Sequence, residues 1–491
     1  NYSININKYM KKTNSFLIRR AMLTMLWVVA SIGFSEAQTG STYTLEMCID
    51  YALKNSTTIK SAEFDEYIAK AQTSEIRGAG LPQINASAMV MDNPKLQRLF
   101  QKYDPSEQGF AAFFFPPGSN VPEGTYAFPN IFQLRSNGDV KVSVSQLIFN
   151  GSYFVGLQAA KTYAELSRKN TNLSKSQIVE NVTKAFYSVL INQERKSLLD
   201  ANIASLDSLL KQSRAMHQHG FVEKVDVDRL EVTYNNLLSE KNKFDLFTEM
   251  TVYLLKFQMG YDSNTDLNLS GDVKEFNETL VNIPQADTSA YLNRPEYDLL
   301  KTQHRLESLN LKNKRMYYLP TLSAFGNYGY FRGATSLGGL FDKRASPVYS
   351  GGSNVAATWF DYSNYGISLN VPIFSGLTQR AKVQQSQIAL RKIQNNVEAL
   401  KQASAFQAKQ AELSMRNNLM TVENQKRNMV LAEEVRRISK IKYEQGVGSN
   451  LEVINAETSY KEAQTNYYNA VYDLVVSGIE YQKATGTLYK E

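Results

Sequence analysis

The stretch "YEQGVGSNLEVINAETSY", Tyr443 to Tyr460, reads as a helix end, a turn on Gly446 and Gly448, and the start of another helix. An earlier segment, "MHQHGFVEKVDVDRLEVTYNNLLSEKNKF" from Met216 to Phe244, is a second version of it. Gly220 and Gly446, Asp226 and Glu452, Val227 and Val453, Glu231 and Glu457, and Tyr234 and Tyr460 all pair at one offset of 226 residues. A register held over so many positions marks an internal duplication, so the fold is made twice from one unit.

Working outward, each turn is flanked by unusually long helical sequence. Between Gly151 and Gly220 there is no Pro and only one internal Gly, Gly156. That leaves room for a helix of about 65 residues, or ~100 Å. Its apolar spacing holds to 3.5 residues. One heptad position collects Ile178, Ala185, Asn192, Leu199 and Leu206, and its partner collects Val182, Val189, Lys196, Ile203 and Leu210. Such a repeat is a coiled-coil seam. The second copy, Gly376 to Tyr443, is equally long, but its seam of Ala408, Ala411, Met415, Val422, Met429 and Ala432 is interrupted by Asn418 and Gln425. After each turn the chain returns as a shorter helix ending at Gly260 or Gly486.

Between the helices the period changes to 2. "PQINASAMVM" sets Ile84, Ala86, Ala88 and Val90 against Gln83, Asn85 and Ser87, and "DVKVSVSQ" alternates Val140, Val142 and Val144 with Lys141, Ser143 and Ser145. "PTLSAFGNYGY" after Leu319 and "YGISLNV" from Tyr365 repeat the pattern. These are two-faced strands. A soluble sandwich would turn the apolar face inward; a membrane barrel turns it to lipid. Four strands cannot close a barrel, which needs at least eight, and seams without a globular core also need partners. Both halves of the architecture ask for an oligomer.

Composition narrows the class. Residues 1–37 read as a secretory leader, with a basic run, the apolar stretch "AMLTMLWVVASIGF" and a small-residue site at Ser35-Glu36-Ala37. Without its five basic and one acidic residues, the formal charge of +7 falls to about +3, which removes the main support for nucleic-acid binding. Beyond the leader no apolar run reaches the eighteen or more residues of a membrane-spanning helix. The single Cys48 has no disulfide partner in the chain and reads as a core residue.

The leader, the opening "YTLEMCIDYALKNSTTIKSAEFDEYIAKAQTSEIRGAGLPQINASA", the paired Leu81-Pro82 and Leu319-Pro320, the paired "LIFNG" and "VPIFSG", and the "YEQG…LEVINAETSY" turn together resemble the TolC-like outer-membrane efflux family. The similarity runs from about Tyr43 to Gly486. It implies a mixed fold of long coiled-coil helices and transmembrane β-strands, in which a homotrimer shares a 12-stranded β-barrel continuous with a 12-helix periplasmic α-barrel. It further implies an outer-membrane location in a Gram-negative bacterium, no enzymatic activity and no cofactor. The expected partners are a periplasmic adaptor and an inner-membrane efflux pump. The expected division is repeat 1 over 38–261 (helix 43–80, strands 82–91 and 138–149, helices 151–218 and 222–259), an equatorial linker over 262–290, and repeat 2 over 291–491 (helix 292–317, strands 320–331 and 362–374, helices 376–444 and 449–486).

On that resemblance the turns are periplasmic hairpin tips, and the family's constriction carboxylates fall on Asp226 and Glu452, with Asp228 two residues beyond. The competing reading is local: acids in a helix's first turn complement its dipole. Tyr443 matches a latch tyrosine, but Gly448 and Asn455 stand where a basic and an acidic partner would be expected, which argues against a salt-bridged latch. Gly220, Phe221, Val222, Gly446, Val447 and Gly448 are the candidate adaptor-docking surface, because Gly permits close backbone approach. His217 and His219 form an H-x-H whose side chains diverge by about 200° on a helix, which does not suit a shared metal. The aromatic loop "GFAAFFFPPG", Gly109 to Gly118, is expected to be packed within an external mouth or against a neighbour. Two other functions stay open here: a channel for type I protein secretion, and a periplasmic or surface coiled-coil scaffold or adhesin.

Overall fold

A computed structural model describes residues 42–106, 110–115, 120–128, 130, 132–271, 289–342, 348–350, 353–355 and 359–489. The expected leader, residues 272–288 of the expected linker, and residues 109 and 116–118 of the aromatic loop lie outside these. The chain divides into two compact units. Of the described residues, one comprises 42–56, 181–271 and 418–476, and the other those within 57–180, 289–417 and 477–489.

The helical part is built twice. Helix α3 (Gly151–Gln218) runs 68 residues and α4 (Lys224–Met259) 36; in the second copy α6 (Thr378–Glu444) runs 67 and α7 (Asn450–Thr485) 36. The 3.5-residue seam of α3 is buried as its spacing requires, with Val182, Val189, Leu206 and Leu210 all sequestered. No described helix is long and apolar enough to cross a membrane.

The first helix differs from expectation. The span 43–80 is not continuous: α1 (Leu45–Asn55) and α2 (Thr57–Gly78) are separated at Ser56, whose ψ of 128° is extended. The end of α4 accounts for the break. Gly260, in the left-handed region at φ +66°, lies so close that a Cβ there would sit 2.8 Å from the Asn55 carbonyl oxygen. Likewise the expected helix 292–317 begins as a 3-10 turn, Ala290–Asn293, before α5 (Pro295–Met316).

The second unit holds a four-stranded antiparallel sheet of β1 (Gln83–Asp92), β4 (Ser136–Phe149), β5 (Thr321–Ala334) and β8 (Phe360–Asn370), in the order β1-β4-β5-β8. The expected strand 362–374 therefore stops early. Pro372, with no N–H to donate, follows two residues later. Register sorts the faces. Ile84 opposes Val144, Ala86 opposes Val142, Val142 opposes Tyr328, and Ala324 opposes Ile367, so these share one face. Asn85, Ser143, Asn327 and Asn364 line up across the other, where Asn327 donates to Asn364 at 2.6 Å. The apolar face is uncovered: Ile84, Val142, Tyr328 and Ile367 are exposed, and Tyr365 is 90% so. Strands of 10 to 14 residues match a bilayer crossing at a tilt.

Two hairpins were not anticipated from period 2. β2 (Leu99–Tyr103) pairs with β3 (Gly124–Phe128) in the connection from β1 to β4, and β6 (Val348–Ser350) pairs with β7 (Ser353–Val355) between β5 and β8.

Candidate functional site: the hairpin tips

Both long helices end in the same backbone device. Gly220 and Gly446 adopt φ of +80° and +75°, which only Gly takes without strain. In the first tip the Phe221 N–H donates to Met216 O and the Gly220 N–H to His217 O, both at 2.9 Å. In the second, Val447 N–H donates to Lys442 O at 2.9 Å and Gly446 N–H to Tyr443 O at 3.0 Å. This paired bonding closes the orphan carbonyls of a helix end and reverses the chain. Among the described residues nothing lies within 4 Å of a Cβ placed on either Gly, so the demand is conformational. Gly448 is different. A Cβ there would meet the Lys442 side chain at 2.8 Å and the Tyr443 nitrogen at 3.0 Å, so its need is for space.

Inside the first unit the two hairpins share a core just behind the tips. Leu206, Leu209, Leu210, Val227, Leu230, Tyr443 and Val453 form one buried cluster. Tyr443 is 3% exposed, and its hydroxyl is 2.9 Å from that of Ser213. Within one protomer it is thus a pin between α6 and α3. Asp226 is half-buried; its backbone carbonyl accepts from Asn450 Nδ2 at 2.6 Å, with the carboxylate at 3.4 Å from the same nitrogen and 3.7 Å from Arg229. Glu452, Asp228 and Asn455 are exposed.

Asn450 and Ser213 carry this junction, and neither was anticipated. The helix start was legible, since Ser449-Asn450-Leu451-Glu452 matches the S-x-x-E pattern, but the bond from Asn450 to Asp226, 224 residues away, was not. Ser449 Oγ accepts from the Glu452 backbone N–H at 3.2 Å, so the cap is Ser449's and leaves the exposed Glu452 carboxylate out of it. Ser213 had no signal, because its partner is 230 residues away.

Of the six docking candidates, Phe221 and Val447 are the most exposed side chains, while Val222 is drawn in against the shared cluster. His217 donates a ring N–H from Nδ1 to the Val222 carbonyl at 2.9 Å, closing the first tip. Further up the hairpins, Glu457 is buried. Desolvation pushes its carboxyl above the usual carboxylate range against the pull of Arg436, 3.8 Å away, and of Lys440. It borders a cleft of about 230 Å³ with Asn202, Leu206, Asn236, Leu237 and Lys461. Cys48 is fully buried, and burial pushes its thiol up to about 12, so it is inert as a nucleophile.

Comparison with known proteins agrees with this geometry. The family model described as outer membrane efflux protein matches residues 48–244 and 289–487, one match per repeat. The chain is 19% identical to outer membrane protein TolC of Vibrio cholerae, over 76% of this chain and 81% of that one. It is 22% identical to the antibiotic efflux pump outer membrane protein ArpC of Pseudomonas putida, over 67% of this chain and 64% of that one. In fold it resembles the CmeC outer membrane channel of Campylobacter jejuni, with a TM-score of 0.66 at 17% identity, covering 93% of this chain and 91% of that one. With a model match in each repeat, an exposed apolar sheet face and paired helical hairpins, this chain belongs to the outer membrane efflux protein family and is an outer-membrane efflux channel, not an enzyme.

Proposed function

We propose that three copies of this chain form the outer-membrane conduit of a tripartite pump, passively exporting small toxic compounds when docked to a periplasmic adaptor and an inner-membrane transporter. One observation carries the assembly. Among the described residues the four-stranded sheet has two unpaired edges, β1 and β8, and an exposed apolar face, and neither an open edge nor a lone four-stranded sheet is stable in lipid. Three sheets joined edge to edge make twelve strands, a closed barrel. Each hairpin also keeps an exposed apolar stripe: Leu246, Met250, Tyr253 and Phe257 on α4, and Leu431, Val435 and Ile438 on α6. Their heptad spacing suits coiled-coil partners from neighbouring copies. The assembly is tested by the mass of the detergent-extracted protein, expected at three times that of the protomer; a stable water-soluble monomer would rule it out.

The antibiotic efflux named for the Pseudomonas putida relative supports small compounds as cargo. The tips are the adaptor-docking surface in this reading. Phe221 and Val447 test it best, since Gly446 is fixed by backbone strain and Gly448 by crowding. Phe221→Asp with Val447→Asp should abolish efflux with trimer and membrane insertion intact; unchanged drug tolerance would count against docking there.

The same reading makes Asp226, Asp228 and Glu452, with Asn455 beside them, the lining of the periplasmic constriction. Like charges 6 Å apart repel by about 0.7 kcal/mol even in water, and more in a narrow pore, so such a ring cannot hold itself shut. Closure would fall to contacts like Tyr443 with Ser213 and Asn450 with Asp226, which adaptor binding could loosen. Asp226→Asn with Glu452→Gln should lower cation selectivity and weaken block by multivalent cations in planar bilayers. Wild-type selectivity and block in that variant would leave these acids a capping role only.

A further inference from the structure

The connection from β1 to β4 folds into a small body of its own. Tyr103 of β2 and Phe128 of β3 are buried on one face of the hairpin, and Phe114 stacks on Phe128 with centroids 4.7 Å apart and planes at 25°. Phe115 lies 4.7 Å from the Tyr103 ring. Of the three consecutive phenylalanines, two are therefore consumed by this private core. Phe113 is not: it is 80% exposed, and Phe132, stacked on Phe110 at 5.8 Å, is 76% exposed. Phe100 on β2 is 72% exposed. Each such ring offers on the order of 150–250 Å² to a partner, so together they exceed the scattered apolar exposure normal for a surface.

Lipid does not suit this surface. The root of the body is clamped by Arg135, which reaches both carboxylate oxygens of Asp92 at 3.2 Å, and β2 is tied to the chain leading into β3 by Lys102 and Glu123 at 2.6 Å. Charges at this end of the strands belong to the aqueous side of an apolar band. Topology names another cover. With β1 and β8 as the free edges, head-to-tail closure of identical chains sets the β1–β4 connection of one copy beside the β5–β8 connection of the next. That connection shows exposed Leu337 and Phe341, fixed in place by Arg332 donating to the carbonyls of Leu340 at 2.8 Å and Asp342 at 3.1 Å.

We propose that Phe113 and Phe132 of one copy dock on Leu337 and Phe341 of the neighbouring copy, forming an aromatic collar at the external mouth that locks the barrel seam. This rests on the trimeric reading above. Single variants Phe113→Cys, Phe132→Cys and, as an open reference on the same body, Glu123→Cys are labelled with a maleimide-polyethylene glycol as intact trimers, in detergent and in liposomes. The buried Cys48 gives little background. Phe113→Cys and Phe132→Cys should label about tenfold more slowly than Glu123→Cys in both media, since access requires the contact to open. Combined with Phe341→Cys, Phe113→Cys should give a covalent ladder of dimer and trimer with a short bismaleimide. Labelling at the reference rate in intact trimers, with no ladder, overturns the collar and leaves the trimer standing. Protection in liposomes alone overturns it in favour of lipid. A monomeric wild type overturns the assembly itself and the collar with it.

Discussion

The two hairpin tips share a backbone and the buried pair Val227 and Val453, yet several equivalent side chains meet different surroundings. At one repeat position Tyr443 is buried and pinned to Ser213, whereas its counterpart His217 is exposed and closes its own turn. At another, Glu457 is buried beside Arg436, whereas Glu231 is half out in solvent and pairs with Arg214 at 2.9 Å. Leu209 lies in the shared core, while Val435, its match, is exposed. The second helix start carries a Ser449 cap; the first has Glu223, with no side-chain cap. A duplicated backbone thus keeps its turn chemistry, because φ is a local demand. Its side chains diverge because each copy has the other on a different flank.

Leu209 and Val435, equivalent in the repeat, should differ most. Leu209→Ala should cost about 2–5 kcal/mol of stability in a denaturant melt of the extracted protein, as large-to-small changes in packed sites do. Val435→Ala should change protomer stability by less than about 0.5 kcal/mol, as exposed substitutions do, and act instead on subunit association. Equal losses would mean the two seams are equally packed.

Gly220→Ala and Gly446→Ala test what the tips have in common. Each should lose about 1–2 kcal/mol from the left-handed backbone alone, and by similar amounts, because neither Cβ meets a neighbour. Hydrogen exchange at the tips is the readout, and a marked inequality would show that the turns are not equivalent. The caps are a smaller difference. Ser449→Ala should weaken the start of α7 by about 1 kcal/mol, and Glu223→Ser should strengthen the start of α4 by a similar amount, measured the same way.

The smallest effect concerns pH. A carboxyl raised in the folded state destabilises that state wherever it must be ionised, and this cost disappears as pH falls through the raised value. Glu457 should therefore make the second hairpin more stable on mild acidification, within and just above the ordinary carboxylate range. Glu457→Gln should remove that response and raise stability at neutral pH. A pH response that survives Glu457→Gln would place its source elsewhere.

Much of the fold was legible because it rests on local rules. The offset of 226, the period of 3.5 in α3 and the period of 2 in β1, β4, β5 and β8 are properties of neighbouring residues, and they specify helix, strand and repeat before any packing. What failed was set by distant groups. Ser56 breaks the first helix where Gly260 comes against Asn55, and the β2–β3 body depends on Phe114 and Phe115 meeting Phe128 and Tyr103. In the candidate site the tip glycines and acids could be named, but not that Tyr443 turns inward or that Asn450 holds Asp226.

By itself the sequence determined the duplicated plan, the long helices, the turns on Gly220 and Gly446 and a sheet with one apolar face, since each follows from φ preferences and side-chain period within a few residues. Which copy of each repeated side chain is buried follows from packing, because burial depends on what lies across the interface between the hairpins, and identical spacing in two places cannot carry that information.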